Sequence, residues 1–188
     1  YVTCDTGLFL DANGAAFPGI SGTNVWRFSI KSSGPATPTA STGPTNITVG
    51  LDGTGDFATL QGASDWIPQN NTLRRTITIL PGVYHDFAIF TQNRNYVTVI
   101  GGGSSWQDVQ FIYPNAAYTS GSSCGLLRVE SSDMYFRNLT LDNQVYLTNS
   151  LDNYGPWAGR LNTLDTTGQR LIFDHVMIKG GQDTLYTI

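Results

Sequence analysis

Tyr135-Phe136-Arg137-Asn138-Leu139-Thr140-Leu141, "YFRNLTL", returns later in the chain as Ile172-Phe173-Asp174-His175-Val176-Met177-Ile178, "IFDHVMI". Most matching places are apolar in both, with polar residues between, so the two segments read as one strand unit used twice. Other strand-like runs surround them: "TITIL" at 76–80, "YVTVI" at 96–100, "VQFIY" at 109–113 and "LLRVE" at 126–130. A helical pattern shows once, at Leu60, Ala63 and Ile67, behind Thr59 as N-cap and ahead of Pro68 as a stop. One short helix followed by strands excludes an alternating α/β fold. Repeated strand units suit stacked coils, each burying its inward face against the next. The expected class is therefore all-β, a parallel β-helix whose open first coil is capped by the short amphipathic helix. An antiparallel sandwich is the alternative on pattern alone. A solenoid also needs a cap at its other end, and none is read after Ile188.

Composition agrees with a turn-rich β protein. Charged residues make up 13% of the 188, about half the roughly 25% of an average globular chain, while Gly alone contributes 21 residues. A net charge of -4 supplies no basic field for nucleic acid, and no apolar run approaches the roughly 20 residues of a membrane-spanning helix. A soluble protein is expected, with no nucleic-acid or membrane partner. Cys4 and Cys124 fit no metal spacing and read as unpaired, small apolar residues rather than a disulfide. No signal peptide is visible at Tyr1-Val2-Thr3, and the expectation is that both ends were cut from a longer protein.

One boundary stands out. Lys31 to Asn46, "KSSGPATPTASTGPTN", holds three prolines among Ser, Thr and Gly and reads as a linker, assigned to residues 32–46. Before it, Trp26, Phe28 and Ile30 alternate with Val25, Arg27 and Ser29 as in a half-buried strand. So short a segment cannot bury its own core, and residues 1–31 resemble the closing strands of a bacterial immunoglobulin-like module.

Beyond the linker, residues 47–188 resemble the N-terminal part of the pectin methylesterases, or pectinesterases. The stretches that carry the resemblance are, in order, "DGTGDFATLQGASDWIP", "ITILPGVYHDF", "YVTVIGGG", "FRNLTLDN" and "GGQDTLY". The resemblance implies a right-handed parallel β-helix, which agrees with the repeat argument. It also implies hydrolysis of pectin methyl esters to release methanol, with no cofactor and no metal, by an extracellular and monomeric enzyme whose partner is methylated polygalacturonate.

Carried over residue by residue, the "QDTLY" motif makes Asp183 the general acid and then base, and Gln182 a donor to the oxyanion hole. The chemistry is consistent, because a neutral amide donates N–H to developing charge while an adjacent carboxylate shuttles the proton. To donate, Asp183 must hold a proton near working pH, which burial or a neighbouring carboxylate arranges. In the family that neighbour is a nucleophilic aspartate in a "VDFIFG" stretch one coil on, absent from this sequence, so the chain by itself is expected to be inactive. The later "LGRPW" motif is absent too. Adjacent strand residues point to opposite faces, so Gln182 and Asp183 share a site only if the backbone bends there, as Gly180 and Gly181 permit.

The family's "QAVAL" stretch falls on Arg160-Leu161-Asn162-Thr163-Leu164, which puts Arg160 where a second Gln is usual; a shifted alignment brings Asn162 or Trp157 there. Tyr146, Tyr154 and Trp157, in a lengthened loop, could stack on sugar rings or on one another; Arg160, Trp157 and Tyr154 are the candidate substrate-binding residues. "GVYHD" at 82–86 carries Asp86 where the family has Glu. His175 reads as a structural or surface position, His85 has at most a minor site role, and "IGGG" at 100–103 reads as a coil turn rather than a phosphate loop. Tyr84 and Phe87 read as coil packing. A non-catalytic carbohydrate-binding or adhesive β-helix, favoured by Arg160, is the alternative function. A pectate lyase or polygalacturonase lacks the acidic cluster it would need.

Overall fold

The computed structural model describes residues 3–22, 33–113, 125–144, 162–181 and 184–188. The chain divides into two compact units, Tyr1–Gly34 and Pro35–Ile188.

The described part of the first unit is a narrow antiparallel pairing. Cys4 and Ile20 exchange backbone hydrogen bonds of 3.1 and 2.9 Å, and Leu10 pairs with Ala16. Between them Asp11 closes a tight loop, its Oδ1 accepting from the amides of Asn13 at 2.8 Å and Ala15 at 2.9 Å. Cys4 is a free thiol. The alternating segment at Trp26, Phe28 and Ile30, and Cys124, lie outside the described residues.

In the second unit the order is β1 (Asn46–Val49), α1 (Leu60–Trp66), β2 (Arg75–Ile79), β3 (Gly82–Tyr84), β4 (Ala88–Phe90), β5 (Val97–Gly101), β6 (Val109–Ile112), β7 (Leu127–Val129), β8 (Tyr135–Asp142), β9 (Leu164–Thr166), β10 (Ile172–Lys179) and β11 (Leu185–Thr187). Every pairing between these strands is parallel. A first face stacks β1, β2, β5, the first half of β8 and β10. A second face stacks β3, β6, the second half of β8 and β10. The third face is β4, β7, β9 and β11. The chain visits the faces in turn and advances one strand each time, as a parallel β-helix does.

The repeat seen in the sequence is a physical register. β10 lies on β8 with Phe173 opposite Phe136, Asp174 opposite Arg137 and Val176 opposite Leu139. Inward residues form ladders because period-two alternation keeps one side of every strand apolar. Ile47, Ile77, Val99, Phe136 and Phe173 run up the first face, Tyr84, Phe111, Leu141 and Ile178 up the second, and Ala88, Leu127, Leu164 and Leu185 up the third. Aromatic rings stack along them, Phe136 on Phe173 at 5.0 Å and Tyr84 on Phe111 at 5.1 Å, while Phe90 meets Phe136 edge-on at 6.0 Å. Asn138 and His175 occupy one position in successive coils and both take left-handed backbone, φ 53°, where β8 and β10 turn from the first face onto the second. Gly101 ends β5 directly beneath this corner, where a Cβ would strike the carbonyl oxygen of Asn138, so only glycine lets the coils close there.

Thr59 caps α1, its side chain accepting from the amide of Gly62 at 3.0 Å. The helix buries Leu60, Ala63 and Ser64 and pins β4: Gln61 Oε1 accepts from Ile89 N at 2.8 Å, and Ser64 Oγ donates to Ile89 O at 2.8 Å. Next to it lies part of the Pro-rich stretch. Arg75 is fully buried, donates to the carbonyls of Thr39 at 2.6 Å, Thr42 at 3.0 Å and Pro44, and to Asn71 Oδ1 at 2.8 Å. Its guanidinium sits 5.5 Å from the Trp66 ring, and Trp66 Nε1 donates to Ala36 O at 3.1 Å. Residues 36–44 thus form a strap on the beginning of the β-helix.

Candidate functional site

Three faces make three corners, and each coil crosses them in the same order. The corner between the second and third faces is where β3 gives way to β4 through His85, Asp86 and Phe87, β6 to β7, β8 to β9, and β10 to β11. Gln182, Asp183, Tyr154, Trp157 and Arg160 all lie outside the described residues.

The frame around them is described. β10 ends at Lys179 and β11 begins at Leu185, so the Gly-Gly-Gln-Asp-Thr segment spans the gap between two strands one coil above β8 and β9. Thr184 Oγ1 donates to Gly181 O at 2.6 Å, closing the segment on itself. Thr163 holds both of its ends, with Oγ1 donating to Lys179 O at 2.6 Å and N donating to Thr184 O at 2.9 Å. Asn143 adds N to Lys179 O at 3.1 Å, and its Nδ2 donates to Asn162 O at 3.0 Å. Asn143 and Thr163 are fully buried and Asn162 is nearly so, a polar seam inside an otherwise apolar stack. The bonds of Asn143 and Thr163 fix the segment's entry and exit, while Asn162 joins the seam through its backbone carbonyl, its Oδ1 being buried without a partner among the described residues. The sequence reading held Thr163 and Asn143 only as members of aligned stretches and gave neither a role; an Asn and a Thr at coil ends give no periodic signal.

Charge at this corner is mixed. Lys179 Nζ stands 3.5 Å from Asp142 Oδ2, so the nearly buried carboxylate has a cation beside the segment. On the third face Arg128 Nε lies 2.8 Å from Glu130 Oε1 and 3.9 Å from the buried Asp165. Three coils earlier, the Asp86 carboxyl is pushed above the ordinary carboxylate range, chiefly by burial, although Oδ1 accepts from Phe87 N at 2.9 Å. Its Oδ2 is buried without a hydrogen-bond partner. Phe87 and Tyr113 meet at 5.7 Å on the same corner. His85 is exposed at the end of β3; His175 is exposed on a different corner, its Nδ1 against Asp174 Oδ1. Among the described residues no group of three or more His, Cys, Asp or Glu is placed to hold a metal ion.

Among the described residues, this edge of the coil stack is backed by the buried polar seam of Asn143, Asn162 and Thr163. Comparison with known proteins gives this edge a context. A family model described as Pectinesterase matches residues 46–188. Pectinesterase QRT1 of Arabidopsis thaliana is 30% identical over 148 residues, covering 74% of this chain and 38% of that protein. Pectinesterase 31 of the same plant is 27% identical, covering 74% and 44%. A pectinesterase of Ralstonia nicotianae is 27% identical, covering 75% and 40%. The chain therefore spans well under half the length of these relatives. Among solved structures, pectin methylesterase PemA from Erwinia chrysanthemi superposes with a TM-score of 0.59 at 21% identity, covering 76% of this chain and 45% of that one. A pectin methylesterase in complex with a hexasaccharide gives 0.62 at 24% identity, covering 78% and 46%. The carrot enzyme gives 0.57 at 15%, covering 79% and 40%. At these identities the structural likeness establishes the shared parallel β-helix fold.

Proposed function

This chain belongs to the pectinesterase family, and from that membership we propose that it is the N-terminal part of an enzyme that hydrolyses the methyl esters of polygalacturonate and releases methanol. The observation that carries the reading is the family match over residues 46–188, which takes in the Gln182-Asp183-Thr184-Leu185-Tyr186 stretch. The frame supports it, since Thr163 holds Lys179 and Thr184, which flank Gln182 and Asp183 in the chain, through bonds of 2.6 and 2.9 Å. A fixed segment loses little entropy when it must present an acid and a donor to one ester.

The steps assign one role to each group. A carboxylate nucleophile from a further coil attacks the ester carbonyl carbon, and Gln182 donates its side-chain N–H to the oxyanion that forms. Asp183 gives its proton to the departing methoxyl oxygen, so methanol leaves and an acyl-enzyme remains. Asp183, now a carboxylate, takes a proton from water, whose oxygen attacks the same carbon and frees the galacturonate. Arg160, Trp157 and Tyr154 bind the sugar chain, the arginine through its guanidinium and the aromatics through ring stacking. The β-helix is right-handed and α1 caps its first coil. Residues 1–31 belong to an immunoglobulin-like module joined through residues 32–46, and the enzyme works outside the cell as a monomer, without nucleic acid, membrane or metal.

The test uses the protein extended through the coils its longer relatives possess. Asp183→Asn is expected to lower methanol release from methylated pectin by at least about 10²-fold, the lower end for general acid–base groups, with the circular dichroism spectrum unchanged. Methanol release that survives this change removes Asp183 from its role. One sequence feature favours a second reading, a carbohydrate-binding β-helix without chemistry: Arg160 stands where the family has Gln. That reading gains if wild-type protein binds pectin but releases no methanol.

A further inference from the structure

The corner between the third and first faces, separate from the one between the second and third, carries a ladder of a different kind. Tyr96, Asp133 and Arg170 each stand two residues before Thr98, Tyr135 and Ile172, which are in register, and all three take left-handed backbone with φ of 61°, 59° and 56°. Arg74 extends the stack by one coil. Its guanidinium lies 5.8 Å from the Tyr96 ring centre, and Nη1 donates to Asp133 O at 2.6 Å and Val97 O at 3.4 Å. Arg170 grips the Asp133 carboxylate with both Nε, at 2.5 Å, and Nη2, at 2.6 Å. Beside the ladder runs an open groove of about 300 Å³, lined by Arg74, Thr98, Asp133, Tyr135, Arg170 and Ile172 among others.

Of the two guanidiniums here only Arg170 is paired with the Asp133 carboxylate, while Arg74 is held by backbone carbonyls, which leaves one positive charge in excess on a chain of net charge -4. The nearest other acid, Asp174, does not offset it: it accepts from Tyr135 Oη at 2.6 Å and faces Arg137 at 3.5 Å and His175. Arg74 keeps Nε and Nη2, and Arg170 keeps Nη1, for a partner outside the chain. Guanidiniums whose planes are already fixed lose little entropy on accepting a carboxylate. Tyrosine rings and the Thr98 hydroxyl add the stacking and hydrogen bonding that a pyranose uses. Strands are spaced by about 4.8 Å, so the ladder from Arg74 to Arg170 is about 14 Å long, a run suited to a short oligomer rather than a single small anion.

We propose that this corner is a second binding track for a polyanionic sugar chain, specifically de-esterified oligogalacturonate. The choice of sugar rests on the proposed function, of which this is the product class; the site itself is separate. Holding product on a distant corner would keep the enzyme on a partly demethylated polymer while the other corner reaches fresh ester.

The test is a titration of the full ¹⁵N-labelled chain with trigalacturonate and with its fully methyl-esterified form. The acid form should shift the amide signals of Thr98, Tyr135 and Ile172 and the ester should not. Arg170→Gln should weaken that binding about tenfold, as losing a charge-assisted hydrogen bond does. Ile172→Glu, which adds a carboxylate at an exposed rim position without removing any bond, should weaken it at least as much. Absence of shifts at these amides, equal shifts with the ester, or affinity unchanged in both variants overturns the proposal. Signals of Gly180, Gly181 and Thr184 report separately on the proposed catalytic corner, so a ligand that moves only those leaves the esterase reading standing and removes the second track.

Discussion

At the scale of single residues, the second unit is organised by polar groups that its apolar core forces into defined partnerships. Asp86 departs from this, a carboxylate with one oxygen buried and unpartnered and its pKa raised mainly by burial. A raised folded-state value means that the folded chain holds the proton more tightly than the unfolded chain. Stability tied to Asp86 is therefore full below the unfolded value and is lost as pH rises through the folded one. Asp86→Asn, which keeps an oxygen for the Phe87 amide, should raise the melting temperature at pH 7 and leave it nearly unchanged at pH 3. Thermal melts at the two pH values check this. Thr163→Val keeps the shape but removes the hydroxyl bond to Lys179 O, and should cost about 1 kcal/mol in urea denaturation. Asp86 was read from the sequence only as a family substitution, because burial of one carboxylate oxygen is decided by the folded surroundings and leaves no local pattern in the sequence.

At the scale of elements, strands inside longer alternating runs were legible and most short ones were not. β2, β5, β6, β7, β8 and β10 all lie within or beside runs chosen from period two, and β8 and β10 pair in the alignment that the sequence suggested. β3, β4, β7, β9 and β11 have three residues each, too few for a period to show, and of these β7 was legible because the run "LLRVE" extends past it on both sides. The N-cap at Thr59 was legible because capping is local chemistry. The strap at 36–44 was not, because its attachment is made by Arg75, whose sequence neighbourhood reads only as the start of a strand. Arg75→Met would strip three carbonyls of a buried donor, at a cost on the order of 3 kcal/mol, and should expose residues 36–44 to proteolysis while the strands persist. Phe136→Ala removes the ring that meets both Phe90 and Phe173 and should cost about 3–5 kcal/mol in chemical denaturation.

At the scale of the whole molecule, a solenoid is held by neighbour contacts alone, so its stability varies along the axis. β9 has parallel partners on both sides, β7 and β11, whereas β11 pairs with β9 and exposes Leu185, Tyr186 and Thr187. In this chain the amides of β11 should exchange with deuterium faster than those of β9, and equal protection would show that the last coil is covered. The same one-dimensional logic gives each corner its own chemistry. The polar seam of Asn143, Asn162 and Thr163 backs one corner and the Arg74–Asp133–Arg170 ladder runs along another.

By itself the sequence determined the repeat, the strand class, the helix cap and the family motifs, because alternation, capping and short catalytic signatures are all written in neighbouring residues. Only the tertiary structure decided which distant positions share a corner. Tyr96, Asp133 and Arg170 are separated by whole coils in the chain and become neighbours through stacking, and Thr163 reaches Lys179 and Thr184 in the same way. Coil lengths vary with their loops, so no fixed sequence period could have aligned those positions; the register of inward side chains, set by burial, does.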